Sequence, residues 1–348
     1  MGTVTIKDIA RECGVGVSTV SRAMNNHPDI NPATKEKIKE VMDKYNYIPN
    51  NSARNLKRTD AQAIAVLVKG IGNPFFSSMI TTIEREAEKK RYSCILQRVD
   101  GAEDEVDVAI ELIKEKRLRG IIFLGGCFSH PQEQLERLQV PFVLSTVGIV
   151  GDSDTNSYSS VSVDDTHESY KVVDYLCQLG HKKIAIITAC EEDESIGQLR
   201  LDGYKKALVD HHIALNEGLI HRMGKLNDEY SMESGYRLAK QLIDSKEEFT
   251  ALYCISDALA VGAMRALYEA GIRIPEDVSV AGFDGINLGQ FYTPSLTTLR
   301  QPVEEMALET IHILFGAIKK KPHIQKIFTG ELVERESTRA FTDETKTF

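Results

Sequence analysis

Val17, Ser18 and Arg22 place an apolar, a hydroxyl and a guanidinium side chain within one short run of chain. Four short polar residues surround them: Thr5, Thr19, Ser21 and Asn25. At the start of a helix such a set can read the edges of DNA base pairs. Valine can meet a thymine methyl, and serine can bond to several edges with little preference. Arginine can grip guanine O6 and N7 together, a pairing that discriminates by about 1–3 kcal/mol. The four short polar groups suit phosphate oxygens, which fix register without carrying sequence information. The alternative is a solvated helical hairpin.

The elements that must position these groups follow from the neighbouring residues. Thr5 with Asp8 three residues later reads as a capping box, opening a helix that runs to Cys13. Gly14 and Gly16 supply a turn, and a second short helix follows to Met24. Ile6, Ile9, Ala10 and Val20 offer the small apolar faces that hold two helices crossed. Asn31 as N-cap and Pro32 at the first helical position start a third helix. Its apolar positions Ile38, Val41, Met42 and Tyr45 keep helical spacing. Beyond it, Pro49 stops the preceding element. Asn50 can cap one or two further turns, too few to be stable alone in water. Residues 1–58 hold ten Lys/Arg against six Asp/Glu, a net of +4 on a chain whose total is −9. A basic head on an acidic body suits a polyanion at one end only.

From about residue 61 apolar strands alternate with amphipathic helices. Strands are expected at 63–68, 93–97, 120–124, 142–145, 184–188, 251–255 and 278–282. Helices are expected at 76–90, 104–116, 166–179, 199–212, 231–244 and 258–271. In 166–179, Val172, Val173, Leu176 and Leu179 recur on one face. This alternation implies an α/β body whose parallel sheets are covered on both faces and bind ligands at the carboxyl ends of strands. There are enough strands for two sheets, hence two lobes and a cleft. The Ser-, Asp- and Asn-rich stretch Asp152–Ser160 is the expected first crossing. The expected division is a head over 1–48, a hinge over 49–60 and a body over 61–348. Within the body, 61–160 plus 290–320 would form one lobe and 161–289 plus 321–340 the other.

Catalytic signatures do not accompany this fold. Gly70-Ile71-Gly72-Asn73-Pro74 lacks the third glycine of a dinucleotide loop and puts proline where its helix should begin. No phosphate loop, nucleophile elbow or HExxH is present, so no enzyme, cofactor or metal is expected. The six cysteines (Cys13, Cys94, Cys127, Cys177, Cys190, Cys254) form no CxxC pair and read as free thiols of a reducing compartment. His211-His212 reads as a solvated surface pair, and His181 as structural. No apolar run approaches the roughly 18 residues that span a membrane. The N-terminus lacks the apolar core of a secretory signal, so a cytoplasmic protein is expected.

The stretches "TVTIKDIARECGVGVSTVSRAMNN" and "NPATKEKIKEVMDKYNYIPNNSARNLKR" resemble the head of the lactose/galactose-repressor family. The resemblance continues through "NPFFSSMI", "GHKKIAII", "RLDGYKKAL", "SDALAVGAMRAL", "IPEDVSVAGFDG" and "PSLTTLRQP", in family order and across essentially the whole chain. It implies a helix-turn-helix head, a hinge helix and a two-lobed body like a periplasmic binding protein. It implies that Ala53 and Leu56 sit in the hinge, where an apolar residue wedges into the minor groove. Asn50, Arg54 and Arg58 would hold flanking phosphates. In the body Arg200 matches the effector-binding arginine and Asp284 the carboxylate at a strand end. A guanidinium and a carboxylate facing one ligand suit vicinal hydroxyls.

Phe75 and Phe76 offer an aromatic face for a sugar or base ring, though both reach the cleft only if the chain turns there. The resemblance also places Tyr230, Ser256 and Gln301 around the ligand, with Ser256 standing where many relatives carry Asn. Structural alternatives stand beside these roles: Arg200 as an internal ion-pair partner, and Asp284 as the cap of a following helix. Asp257 is expected to support its own helix rather than touch ligand.

The whole reads as a transcriptional regulator, a repressor. Its homodimer would bind a near-palindromic double-stranded operator under control of a small effector, a sugar or sugar derivative, with no membrane involved. A nucleobase or nucleoside is the alternative effector. A soluble sugar-binding protein is the alternative class, which the basic head opposes.

Overall fold

The computed structural model describes residues 5–24, 27–45, 47, 62–100, 103–126, 130, 132–147, 158–191, 196–224 and 230–342. The chain divides into two compact units, 1–61 and 62–348.

The first unit is three helices: α1 (Ile6–Cys13), α2 (Val17–Met24) and α3 (Pro32–Lys44). Thr5 caps α1: its N–H and its hydroxyl both donate to the Asp8 carboxylate, at 3.0 and 2.6 Å. That bond and Thr5's backbone hold the Asp8 carboxyl below its usual range. Gly14 ends α1 in the left-handed region, φ +68°, a conformation that costs glycine nothing and lets α2 turn back across α1. Asn31 caps α3 by accepting from the Ala33 N–H at 2.9 Å. Ile9, Ala10, Cys13, Val20 and Ile38 form the small core, with Ile6, Val41 and Met42 against it. Tyr45 does not join them. It is exposed and donates its hydroxyl to Glu12, because the helix ends there, and Tyr47 packs on the core instead.

The second unit runs β1 (Ala63–Lys69), α4 (Phe75–Lys89), β2 (Ser93–Val99), α5 (Glu105–Lys116), β3 (Leu118–Leu124), α6 (Gln132–Glu136), β4 (Phe142–Ser145), β5 (Ser159–Val163), α7 (Asp165–Gln178), β6 (Ile184–Thr188), α8 (Ile196–Asp210), β7 (Ile220–Arg222), α9 (Met232–Asp244), β8 (Ala251–Cys254), α10 (Asp257–Glu269), β9 (Ser279–Asp284), β10 (Thr297–Arg300), α11 (Val303–Ile318), β11 (Gln325–Phe328) and β12 (Glu331–Val333). Two six-stranded sheets result, ordered β11-β5-β4-β3-β1-β2 and β12-β10-β9-β8-β6-β7. All pairings are parallel except β10 with β12. Central strands such as β1 and β6 are continuous apolar runs because helices cover both faces.

The lobe boundaries differ from expectation. Ser159–Val163 pairs with β4 and β11 in the first sheet, so the chain first leaves that sheet after Val163 and not within 152–160. Serine is a poor strand signal, and here partners supply the bonds: the Ser159 hydroxyl accepts from the Ile324 N–H, and the Ser160 hydroxyl donates to Gln325. Thr297–Arg300 belongs to the second sheet, whereas Gln325–Phe328 returns to the first. Only α11, which packs on α4, β3, β4 and β5, lies with the first sheet as expected of 290–320.

His181 is structural. Its ring bonds to Thr250, Ser279 and the Arg339 carbonyl, and burial lowers its pKa. His211 is not simply solvated: it is half-buried and pairs with Asp174 at 2.6 Å. Cys13, Cys94, Cys177 and Cys254 are free thiols, and Cys13, Cys177, Cys190 and Cys254 are buried; Cys127 lies outside the described residues. Among the described residues no helix is long and apolar enough to cross a membrane, and no group of three or more His, Cys, Asp or Glu is placed to hold a metal.

Candidate functional site

In the head, Val20 turns inward and is fully buried, which directs Val17, Ser18 and Arg22 outward at the start of α2 and one turn on. Thr19 and Ser21 flank them, half-buried. Arg22 donates to Asp29 at 3.2 Å, and His27 also contacts Asp29. Partial desolvation pushes the Asp29 carboxyl up, but the His27 bond and the Arg22 charge outweigh it and leave it below its usual range. Any further acceptor must therefore compete with Asp29 for Arg22. Thr5, expected on a phosphate, spends its hydroxyl hydrogen on Asp8. Asn25, and the hinge set Asn50, Ala53, Arg54, Leu56 and Arg58, lie outside the described residues.

In the body, Arg200, Asp284 and Gln301 come together at the carboxyl end of the second sheet. Arg200 projects from α8 and is 5% exposed. Its Nε donates to Asp165 at 2.8 Å and its Nη1 to the Ile255 carbonyl at 2.6 Å. The guanidinium lies 3.7 Å from the Phe283 ring centroid, and Nη1 is 3.8 Å from Asp284. Arg200 is thus an ion-pair partner of Asp165 and a neighbour of Asp284 at once. The hydrogen bonds use Nε and Nη1, so Nη2 is the nitrogen not committed by them.

Asp284 ends β9 with φ +126°, a left-handed backbone that favours glycine. Gln301 donates to its Oδ1 at 3.0 Å and Asn73 to its Oδ2 at 3.3 Å. Burial raises its carboxyl to about 6 despite Arg200, Asn73 and Gln301. It caps no helix. The following turn is held by Asp257 instead, which accepts from the Gly285 and Ile286 N–H groups at 2.8 Å each and from the Thr298 hydroxyl at 2.6 Å. Asp257 stands in the first turn of α10, as expected, and in addition pins the turn that carries Asp284. Burial beside Asp284 pushes it up to about 8. Gly282 is required there, since a Cβ would stand 2.2 Å from Asp257 Oδ1.

Ser256, expected at the ligand, is fully buried and caps α10 by accepting from the Leu259 N–H at 3.3 Å. A serine immediately before a helix is captured by the helix's free N–H groups. Phe75 and Phe76 are both buried and edge-to-face, 5.5 Å between centroids. Phe75 lines a cavity of about 650 Å³ with Pro74, Ser78 and Gln301. Phe76 packs toward Gly125 and belongs to the core. Tyr230 is half-buried and within electrostatic reach of Arg200. The sequence reading missed Asn73, Asp165 and Thr298, and saw Asp257 only as a helix-start aspartate. Only Asn73 left a signal, an Asn-Pro pair ahead of an amphipathic helix.

A helix-turn-helix unit, followed by a two-sheet body with buried polar groups at its strand ends, defines a sensor-regulator. Residues 5–50 match the bacterial regulatory proteins of the lacI family, and residues 173–338 match the periplasmic binding protein-like domain. The chain is 40% identical over 344 residues to the HTH-type transcriptional regulator MalR of Clostridium butyricum, covering 96% of this chain and 99% of that one. Among solved structures, it is similar to the lac repressor dimer bound to operator and the anti-inducer ONPF, with a TM-score of 0.71 and 26% identity over 97% of this chain and 100% of the other. A complex of the transcriptional regulator CelR with cellobiose gives a TM-score of 0.70 at 25% identity, over 96% and 99% of the two chains. The chain belongs to the lacI family of bacterial regulatory proteins. It is a DNA-binding transcriptional regulator controlled by an effector and not an enzyme.

Proposed function

We propose that the chain is a cytoplasmic repressor whose homodimer binds a near-palindromic operator, with affinity set by a sugar or sugar derivative held at Arg200 and Asp284. The pairing of those two buried side chains carries the reading, 3.8 Å apart with Gln301 and Asn73 donating to the carboxylate. Vicinal hydroxyls can donate to Asp284 and accept from Arg200, while the Phe75 ring beside the cavity suits the C–H face of a pyranose. The solved relative with cellobiose supports this class of ligand.

In the head Val17, Ser18 and Arg22 meet base edges, while Thr19, Ser21 and Asn25 approach phosphates. The hinge residues Asn50, Ala53, Arg54 and Leu56 act between head and body, with Leu56 as the minor-groove wedge. For the dimer, Phe291 and Tyr268 are 77% and 73% exposed, apolar side chains of the kind that a second copy would cover.

A thermal-shift screen of mono- and disaccharides against the purified chain tests the ligand class. One sugar should raise the melting temperature in a concentration-dependent way and change operator affinity. A shift with nucleobases or nucleosides and none with sugars would replace the sugar reading.

A further inference from the structure

Asn73 is divided between two jobs. Its backbone N–H donates to the Gly70 carbonyl at 3.0 Å and its side-chain Oδ1 accepts from the Phe75 N–H at 3.0 Å. Both bonds belong to the turn between β1 and α4, on the first sheet. The Oδ1 bond fixes the side-chain amide, so its nitrogen points away from that turn. Its Nδ2 donates to Asp284 Oδ2, at the end of β9 in the second sheet. Asn73 is 7% exposed and Asp284 2%. Asp284 in turn stands on a backbone pinned by Asp257 through Gly285 and Ile286. A rigid donor from one lobe thus meets a rigid acceptor from the other, out of water, where a hydrogen bond to a charged group is strong.

We infer that Asn73 is a latch between the lobes: its amide holds the Asp284 carboxylate and keeps the cleft closed through protein groups alone. An effector hydroxyl that donates to Asp284 Oδ2 takes the place of the Asn73 amide, so ligand entry and lobe release compete for one oxygen. The inference deepens the proposed effector site and rests on Asp284 being its carboxylate. The latch itself needs no sugar to be tested.

Hydrogen exchange of the full chain, without added ligand, separates latch from local cap. Asn73→Ser keeps an oxygen for the Phe75 N–H but is too short to reach Asp284. Asn73→Asp keeps the same cap and sets a carboxylate against Asp284 at pH 8. For both, peptides covering 70–80 and peptides covering 282–291 should exchange faster, the second by on the order of tenfold, as expected for the loss of one charge-assisted bond. Faster exchange confined to 70–80 would show a turn cap and overturn the latch, as would no change in either segment. Because no ligand is present, a negative sugar screen leaves this result standing. Unchanged exchange in 282–291 would equally leave the sugar reading standing.

Discussion

Two arginines divide the molecule's work. Arg22 is 59% exposed at its side chain and, among the described residues, pairs with Asp29, which is itself half-exposed. The Arg200 side chain is 6% exposed and is shared among Asp165, the Ile255 carbonyl, Asp284 and the Phe283 ring. The first, a reader on the proposed function, is kept in water by a pair weak enough to exchange for a base. The second is an organiser, removed from water and surrounded by carboxylates that would repel one another without it. An exposed ion pair contributes about 0–1 kcal/mol, whereas breaking a buried one costs several. The same residue type thus stands exposed with a weak pair in the head and buried at the centre of an ion-pair network in the body.

The largest effect that this contrast predicts is at Arg200. Arg200→Ala leaves Asp165 and Asp284 buried with no cation between them and should destabilise the body by about 3–5 kcal/mol. Urea unfolding followed by circular dichroism measures it. The variant should also lose its response to effector while the head still binds DNA. A loss under about 1 kcal/mol would place Arg200 with Arg22, as a pair at little cost.

Arg22→Ala should leave unfolding unchanged and lower discrimination at one operator position by about 1–3 kcal/mol, read from binding to single-base operator variants. A uniform loss across all variants would make Arg22 a phosphate contact, and the contrast between reader and organiser would fail at its first term.

The two sites also differed in how far the sequence revealed them. The head's helices start where Thr5–Asp8 and Asn31–Pro32 say they do, because caps are local chemistry written within four residues. Val17, Ser18 and Arg22 follow from their place on α2. In the body, strands such as β1 and β6 declare themselves as apolar runs, but β5 does not. Its serines are buried only because residues 323–325 return to bond them. Asp257 is a helix-start aspartate, but its second role appears only when the Gly285 turn, some 28 positions later, is folded onto it. Asn73 meets a partner 211 residues away. The sensing site is assembled by topology, and no spacing within one segment can announce it.

Protonation gives the smallest effect and sets the two regions apart once more. Carboxyls in the head, Asp8, Glu12 and Asp29, lie below their usual range because exposed donors and cations hold them ionised. Those in the cleft, Asp165, Asp257 and Asp284, lie above it because burial outweighs their partners. For Asp284, with a folded value of about 6, the sign for stability is fixed. Its contribution is fully present below the unfolded value of 3.8 and is lost as pH rises through about 6. The sign for ligand binding is the reverse. A sugar hydroxyl donates to the ionised carboxylate, so effector affinity should be level above pH 7 and fall below 6, by roughly tenfold for each further pH unit. Titration calorimetry with the sugar identified by the screen, at pH 5 and pH 7.5, reads this directly. Asp284→Asn should bind weakly and equally at both values. Equal affinity of the unmodified chain at pH 5 and 7.5 would mean that the ligand does not meet the ionised form of Asp284, and the hydroxyl-to-carboxylate contact would have to be withdrawn.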